Sequence, residues 1–113
     1  GTPEFDLFVK EVVREMTAKA GQKCTAIRRI IAPAALAGDL TSALARALGE
    51  IRIGNPANMD VDMGALASHG QRDEVRERVQ ELSAQADVVY GGAEDFELVD
   101  YDPHPHIKAP VAV

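Results

Sequence analysis

The sequence predicts an α/β segment, built in the order helix, strand, helix, helix, strand. Two observations carry this expectation: three stretches place apolar residues at helical spacing behind a capping signal, and two short runs of β-branched residues lie between or after them. A third sets the scale. At 113 residues, 46% hydrophobic and 27% charged, the chain has the composition of a single globular unit. Aromatic residues make up 4% of it and Trp is absent, so its core rests on Ala, Val, Ile and Leu, which bury less area per side chain.

Thr2 followed by Pro3 reads as an N-cap and first helical position. Phe5, Phe8, Val9, Val12, Val13, Met16 and Ala20 then recur at helical spacing, predicting a helix from about Pro3 to Ala20. Gly21 stands where a left-handed C-cap would end it. Gln22, Lys23 and Cys24 lead from there into Ala26-Ile27-Arg28-Arg29-Ile30-Ile31, the first expected strand, so Cys24 is expected on a helix-to-strand turn.

Pro33 can open a second helix, with Leu36, Leu40, Leu44 and Leu48 as an i, i+4 stripe that Gly49 closes. The stripe covers only about two heptads, so it reads as core rather than as a coiled-coil seam. Ile51-Arg52-Ile53 alternates briefly, and the turn residues from Gly54-Asn55-Pro56 to Gly64 predict a surface loop. Ser68 with Gln71 three residues later resembles a capping box. Val75, Val79, Leu82 and Ala86 carry a third apolar stripe, threaded with Arg72, Glu74, Arg76, Glu77, Arg78 and Glu81, whose mixed charge reads as a solvated helix face. Asp87-Val88-Val89-Tyr90 before Gly91-Gly92 reads as the second strand, and no clear periodicity follows in residues 93–113.

Charge and composition narrow the function. A net charge of -6 argues against nucleic acid as a partner, because phosphate binding needs clustered Lys and Arg on one face. No apolar run approaches the roughly 18 residues of a membrane span, one Cys cannot form an intramolecular disulfide, and no signal-peptide pattern opens the chain. A cytoplasmic, reducing setting is the expectation. His104 and His106 with Asp100 and Asp102 are metal-ligand types, yet their Pro-rich context reads as a tail, and no metal is assigned.

By local chemistry alone, a lone cysteine such as Cys24 is more often a small buried hydrophobe than a nucleophile. Its place on a turn and the nearby Lys23, Arg28 and Arg29 point the other way, since positive charge favours the nucleophilic thiolate. The string Gly21-Gln22-Lys23-Cys24-Thr25-Ala26-Ile27-Arg28 resembles the catalytic-cysteine motif of the aldehyde dehydrogenase superfamily. A second stretch agrees with it: Ile53-Gly54-Asn55-Pro56, Met63-Gly64-Ala65-Leu66, Gln71, Val75 and Gly91-Gly92 follow in that family's order and spacing. Within the superfamily, residues 4–17 and 23–29 look most like the dehydrogenase half of a bifunctional oxepin-CoA hydrolase and semialdehyde dehydrogenase of phenylacetate degradation. Ala65, where many members have Pro, and Thr17, where many have an aromatic or aliphatic residue, depart from the pattern. The resemblance assigns residues 1–92 to part of the catalytic domain and leaves 93–113 weakly matched, with Ala109-Pro110-Val111 as a remnant of a Pro-Thr strand.

What the resemblance implies is specific. Cys24 is the nucleophile, its own backbone N–H serves in the oxyanion hole, an aldehyde is the substrate, a CoA-linked semialdehyde on the branch resemblance, and NAD or NADP accepts hydride in the complete enzyme, a homo-oligomer. No motif matches the family's glutamate base, oxyanion-hole asparagine, ribose-holding glutamate or dinucleotide-binding fold, and no Gly-x-Gly-x-x-Gly is present. This segment is therefore not expected to hold the cofactor tightly. Two rival readings remain: a stand-alone α/β interaction module with an inert Cys24, and a redox-sensing thiol, which would need a reversible oxidised form. The 113-residue chain alone is expected to be inactive; spectrophotometric detection of NADH or NADPH formed from an aldehyde by the purified chain checks this.

Overall fold

A computed structural model describes residues 2–91. The chain divides into one compact unit ending at Ile51 and another starting at Arg52.

In the first unit, α1 spans Pro3–Thr17. The Thr2 hydroxyl accepts the Phe5 N–H at 3.2 Å, and Pro3 occupies the first turn, where its missing N–H costs no hydrogen bond. Glu4 and Asp6 near the start and Arg14 near the end complement the helix dipole. The helix stops three residues before the expected Ala20. Lys19 and Ala20 take left-handed backbone angles, φ 51° and 56°, as does Gly21 at 74°. The expectation of a left-handed glycine after the helix was right, but the reversal begins two residues earlier, within an apolar pattern that still looks helical.

Ala34–Leu36 forms a 3-10 turn after Pro33, and α2 then runs over Ala37–Gly49. Leu36 therefore falls outside the helix that the leucine stripe predicted and is exposed. The other three leucines face α1. Val9 and Val13 of α1 and Leu40 of α2 are buried together, with Phe5, Leu44 and Leu48 packed around them. Burying each of the three central side chains is worth about 1.5–3 kcal/mol, so this α1–α2 seam is the unit's main adhesive.

The second unit opens on an ordered loop. Ile53 and Met63 form a parallel bridge, and both are buried. The Asp62 carboxylate accepts the Arg52 N–H at 2.9 Å, and the Asp62 and Met63 N–H groups both donate to the Arg52 carbonyl. Between them, Asn55 Oδ1 accepts the Ala57 N–H and Asn58 Oδ1 accepts the Asp60 N–H, two Asx turns that explain the turn-rich composition. The surface-loop expectation thus holds for Asn55 to Asp60 but misses the buried clasp at its base. Next, α3 covers His69–Ser83, with the Ser68 hydroxyl accepting the Gln71 N–H at 3.1 Å as the capping signal predicted. Arg72 donates two hydrogen bonds to Asp73, which hold the Asp73 carboxyl below its usual range, and Arg78 grips Glu81. Val75 and Val79 are half-buried while Leu82 and Ala86 are exposed.

The two expected strands are not formed. Residues 26–31 and 87–90 are irregular, and the isolated Ile53–Met63 bridge is the one β pairing among the described residues. The reason is pairing rather than propensity: a strand has its backbone groups satisfied only by a neighbour, and neither segment meets one among the described residues. Ile31 is 98% exposed and Val89 70% exposed, apolar side chains with nothing laid against them. The residues from 93 onward, with the His104 and His106 pair, lie outside the described residues.

Replacing Leu40 by Ala should cost about 2–5 kcal/mol, whereas replacing Leu36 by Ala, one turn earlier on the same stripe, should stay within about 0.5 kcal/mol. Urea unfolding followed by circular dichroism distinguishes the two.

Candidate active site around Cys24

Cys24 is exposed, on a turn that begins where α1 is forced to end. Three consecutive left-handed residues redirect the chain, and the reversal is pinned twice: the Gln22 N–H and the Gln22 side-chain amide both donate to the Lys19 carbonyl, at 3.1 and 2.9 Å. Thr17 turns its hydroxyl back onto the Val13 carbonyl at 2.8 Å, a local bond within the helix's last turn. The Ala26 N–H then donates to the Lys23 carbonyl at 3.0 Å, closing a tight turn with Cys24 at its second position.

The cations near the cysteine are not arranged as their sequence neighbourhood suggests. Lys23 Nζ pairs with Glu15 Oε2 of α1 at 3.4 Å, tying the turn back to the helix. The Arg28 guanidinium folds onto the turn itself: Nη1 donates to the Ala26 carbonyl at 2.9 Å and Nη2 to the Lys23 carbonyl at 3.4 Å. Their hydrogen-bonding groups are thus engaged with Glu15 and with backbone oxygens. Sequence reading anticipated Arg28 as positive charge and missed it as a clamp, because backbone acceptors leave no trace in composition. Ala26, between the clamped carbonyls and the following segment, is buried. Among the described residues no hydrogen bond occupies the Cys24 N–H.

The arrangement presents a solvent-accessible sulfur beside an uncommitted backbone donor, on a turn fixed from both sides. The chain's match to known proteins gives this turn its context. The family model described as "Aldehyde dehydrogenase family" matches residues 2–111. The chain belongs to the aldehyde dehydrogenase family. It is 51% identical over 102 residues to a 3,4-dehydroadipyl-CoA semialdehyde dehydrogenase of Aromatoleum evansii, covering 90% of this chain and 20% of that protein. It is 29% identical over 89 residues to an NADP(+) succinate-semialdehyde dehydrogenase of Mycobacterium tuberculosis, covering 79% of this chain and 20% of that one. Among solved structures it is similar to aldehyde dehydrogenase C of Pseudomonas syringae, a cysteine-to-alanine variant in complex with NAD+ and octanal. The TM-score there is 0.77 at 23% identity, over 85% of this chain and 20% of the other.

The chain thus spans about one fifth of the length of these relatives. The fold is a piece of the aldehyde dehydrogenase fold, which explains how a stable helical pair can carry strand-like segments with no partner. The second motif stretch also has a structural meaning, for Ile53 and Met63, from its two separate pieces, meet in the parallel bridge.

The described residues do not fit a dinucleotide. No strand leads into a helix through a glycine-rich turn, and Gly64 and Gly70 face Pro56 and Ser68 rather than an open cradle. Among the same residues no group of three or more His, Cys, Asp or Glu could hold a metal, and no helix is long and apolar enough to cross a membrane.

Left-handed backbone costs a non-glycine residue roughly 1–2 kcal/mol. Ala20→Gly should therefore leave stability unchanged or raise it, against the usual penalty for glycine in place of alanine inside a helix, while Gly21→Ala should lower it by about 1 kcal/mol or more. Paired thermal melts of the two variants check the sign.

Proposed function

We propose that this chain supplies the nucleophile segment of an aldehyde dehydrogenase, with Cys24 as the nucleophile and its own backbone N–H as one oxyanion donor. The observation that carries the reading is the exposed thiol on a clamped turn within a chain of this family. Residues 1–92 form part of the catalytic domain on this reading, and 93–113 a C-terminal segment.

The chemistry follows from the thiolate. Its sulfur adds to the aldehyde carbon, a C–S bond forms, and the carbonyl π pair moves to oxygen as an oxyanion that the Cys24 N–H can hold. NAD or NADP, which the described residues would not hold, would supply the hydride acceptor, and a thioester on Cys24 would remain once hydride had left the tetrahedral carbon. Water cleaves the thioester to the acid and restores the thiol. No group among the described residues is placed to activate that water, so the base too belongs to the rest of the enzyme.

The 51% identity over 102 residues with a 3,4-dehydroadipyl-CoA semialdehyde dehydrogenase supports a CoA-linked semialdehyde as the substrate class; phenylacetate degradation as its setting rests on the sequence resemblance alone. A homo-oligomeric enzyme in the cytoplasm is part of the same proposal. The rival, an independent interaction module, has no observation of its own in its favour.

In the complete enzyme Cys24→Ser should lower aldehyde turnover by at least ~10³-fold, the scale on which a covalent nucleophile is missed. Mass spectrometry after quenching with substrate should find an acyl adduct on the Cys24 peptide of the wild type and none in the variant. Full turnover by the serine variant would remove Cys24 from the mechanism.

A further inference from the structure

We infer that Arg28 is a positioning residue for the oxyanion donor, acting through the peptide bond that joins Lys23 to Cys24. The inference rests on the reading of Cys24 as the nucleophile and adds a role for a residue that does not itself touch the substrate.

The argument is one of peptide geometry. The Lys23 carbonyl and the Cys24 N–H belong to one planar peptide unit, and no cis bond occurs among the described residues, so the two groups point in opposite directions. Whatever fixes the direction of that carbonyl fixes the direction of the N–H. Two donors converge on it: the Ala26 N–H at 3.0 Å from within the turn, and Arg28 Nη2 at 3.4 Å from outside it. The same guanidinium holds the Ala26 carbonyl through Nη1 at 2.9 Å. A planar fork with two donors at fixed separation suits two acceptors on one turn, and an ammonium group cannot reproduce it.

A second effect runs along the same path. A cation bonded to a carbonyl polarises the peptide and strengthens its N–H as a donor. Arg28 thereby aims and sharpens the Cys24 N–H while remaining on the far side of the peptide from the oxyanion. The same contacts explain why Arg28 need not act on the thiol: its donors lie on backbone oxygens.

The test separates thiol reactivity from oxyanion stabilisation. Alkylation by iodoacetamide displaces iodide and forms no oxyanion, whereas aldehyde turnover requires one. Arg28→Ala and Arg28→Lys would be made in the complete enzyme beside Cys24→Ser, and each assayed for kcat, KM and the pH profile of alkylation. The expected result is a fall in kcat of about ten-fold or more in Arg28→Ala and a smaller one in Arg28→Lys, since losing an oxyanion donor outright costs ~10²–10³. KM and the alkylation profile should stay within about two-fold of the wild type. If Arg28→Ala does not fold, Arg28→Lys alone decides by the same readouts. Wild-type kcat in the folded Arg28 variants overturns the inference, and so does an alkylation profile moved to higher pH in step with kcat, which would make Arg28 an activating charge. If Cys24→Ser itself turns over normally, the nucleophile reading fails first; if it is inactive while the Arg28 variants are normal, only this inference fails.

Discussion

The backbone reversal at Lys19, Ala20 and Gly21 is the constraint on which the candidate site depends. A helix that continued to Ala20 at 1.5 Å per residue would carry the following residues onward along the α1 axis. Three left-handed residues instead turn the chain back, so that Gln22 closes onto Lys19 and Lys23 reaches Glu15 on the helix just left. The two non-glycine residues among them are held in an unfavourable region by these contacts and by the packing of α1. Strain at such a place is tolerated where surrounding structure over-determines it, and here it delivers an exposed thiol at a defined position.

The α1–α2 seam supplies the rigidity that the reversal needs. Val9, Val13 and Leu40 anchor two helices of ordinary length with few aromatic groups, and the ion pair between Lys23 and Glu15 transfers that anchoring to the turn. The ion pair is half exposed, so its worth lies in geometry more than in energy. Arg28 completes the arrangement from the other side. A small core is thus enough to hold the one turn that carries Cys24.

Legibility in the sequence followed the range of the interactions. Caps and periodicity are local, and so Thr2, Pro3, Ser68 and the helical stripes located three helices with modest errors at their ends. The early end of α1 was not legible, because Lys19 and Ala20 have no aversion to helix and it is the fold that overrides them. The clasp between Ile53 and Met63 was hidden for a similar reason, the turn chemistry of residues 54–62 separating two side chains that are both buried. Cys24 itself was legible as a motif rather than as chemistry: the cations beside it in sequence are engaged with Glu15 and with carbonyls.

The two strands expected at residues 26–31 and 87–90, which the described residues do not form, show where a sequence signal and a fold can differ. Ala26 to Ile31 has the β-branched content of a buried strand, and Ile31 lies open. Propensity for a strand is in large part a statement about fitting between neighbours, so it describes a demand that another segment must meet. The chain spans about one fifth of its relatives' length, and a sheet is a non-local structure assembled from distant parts of a sequence. Helices satisfy their backbone internally and form within such a span; strands do not. Ile31, 98% exposed, is a place among the described residues where that demand is left unmet.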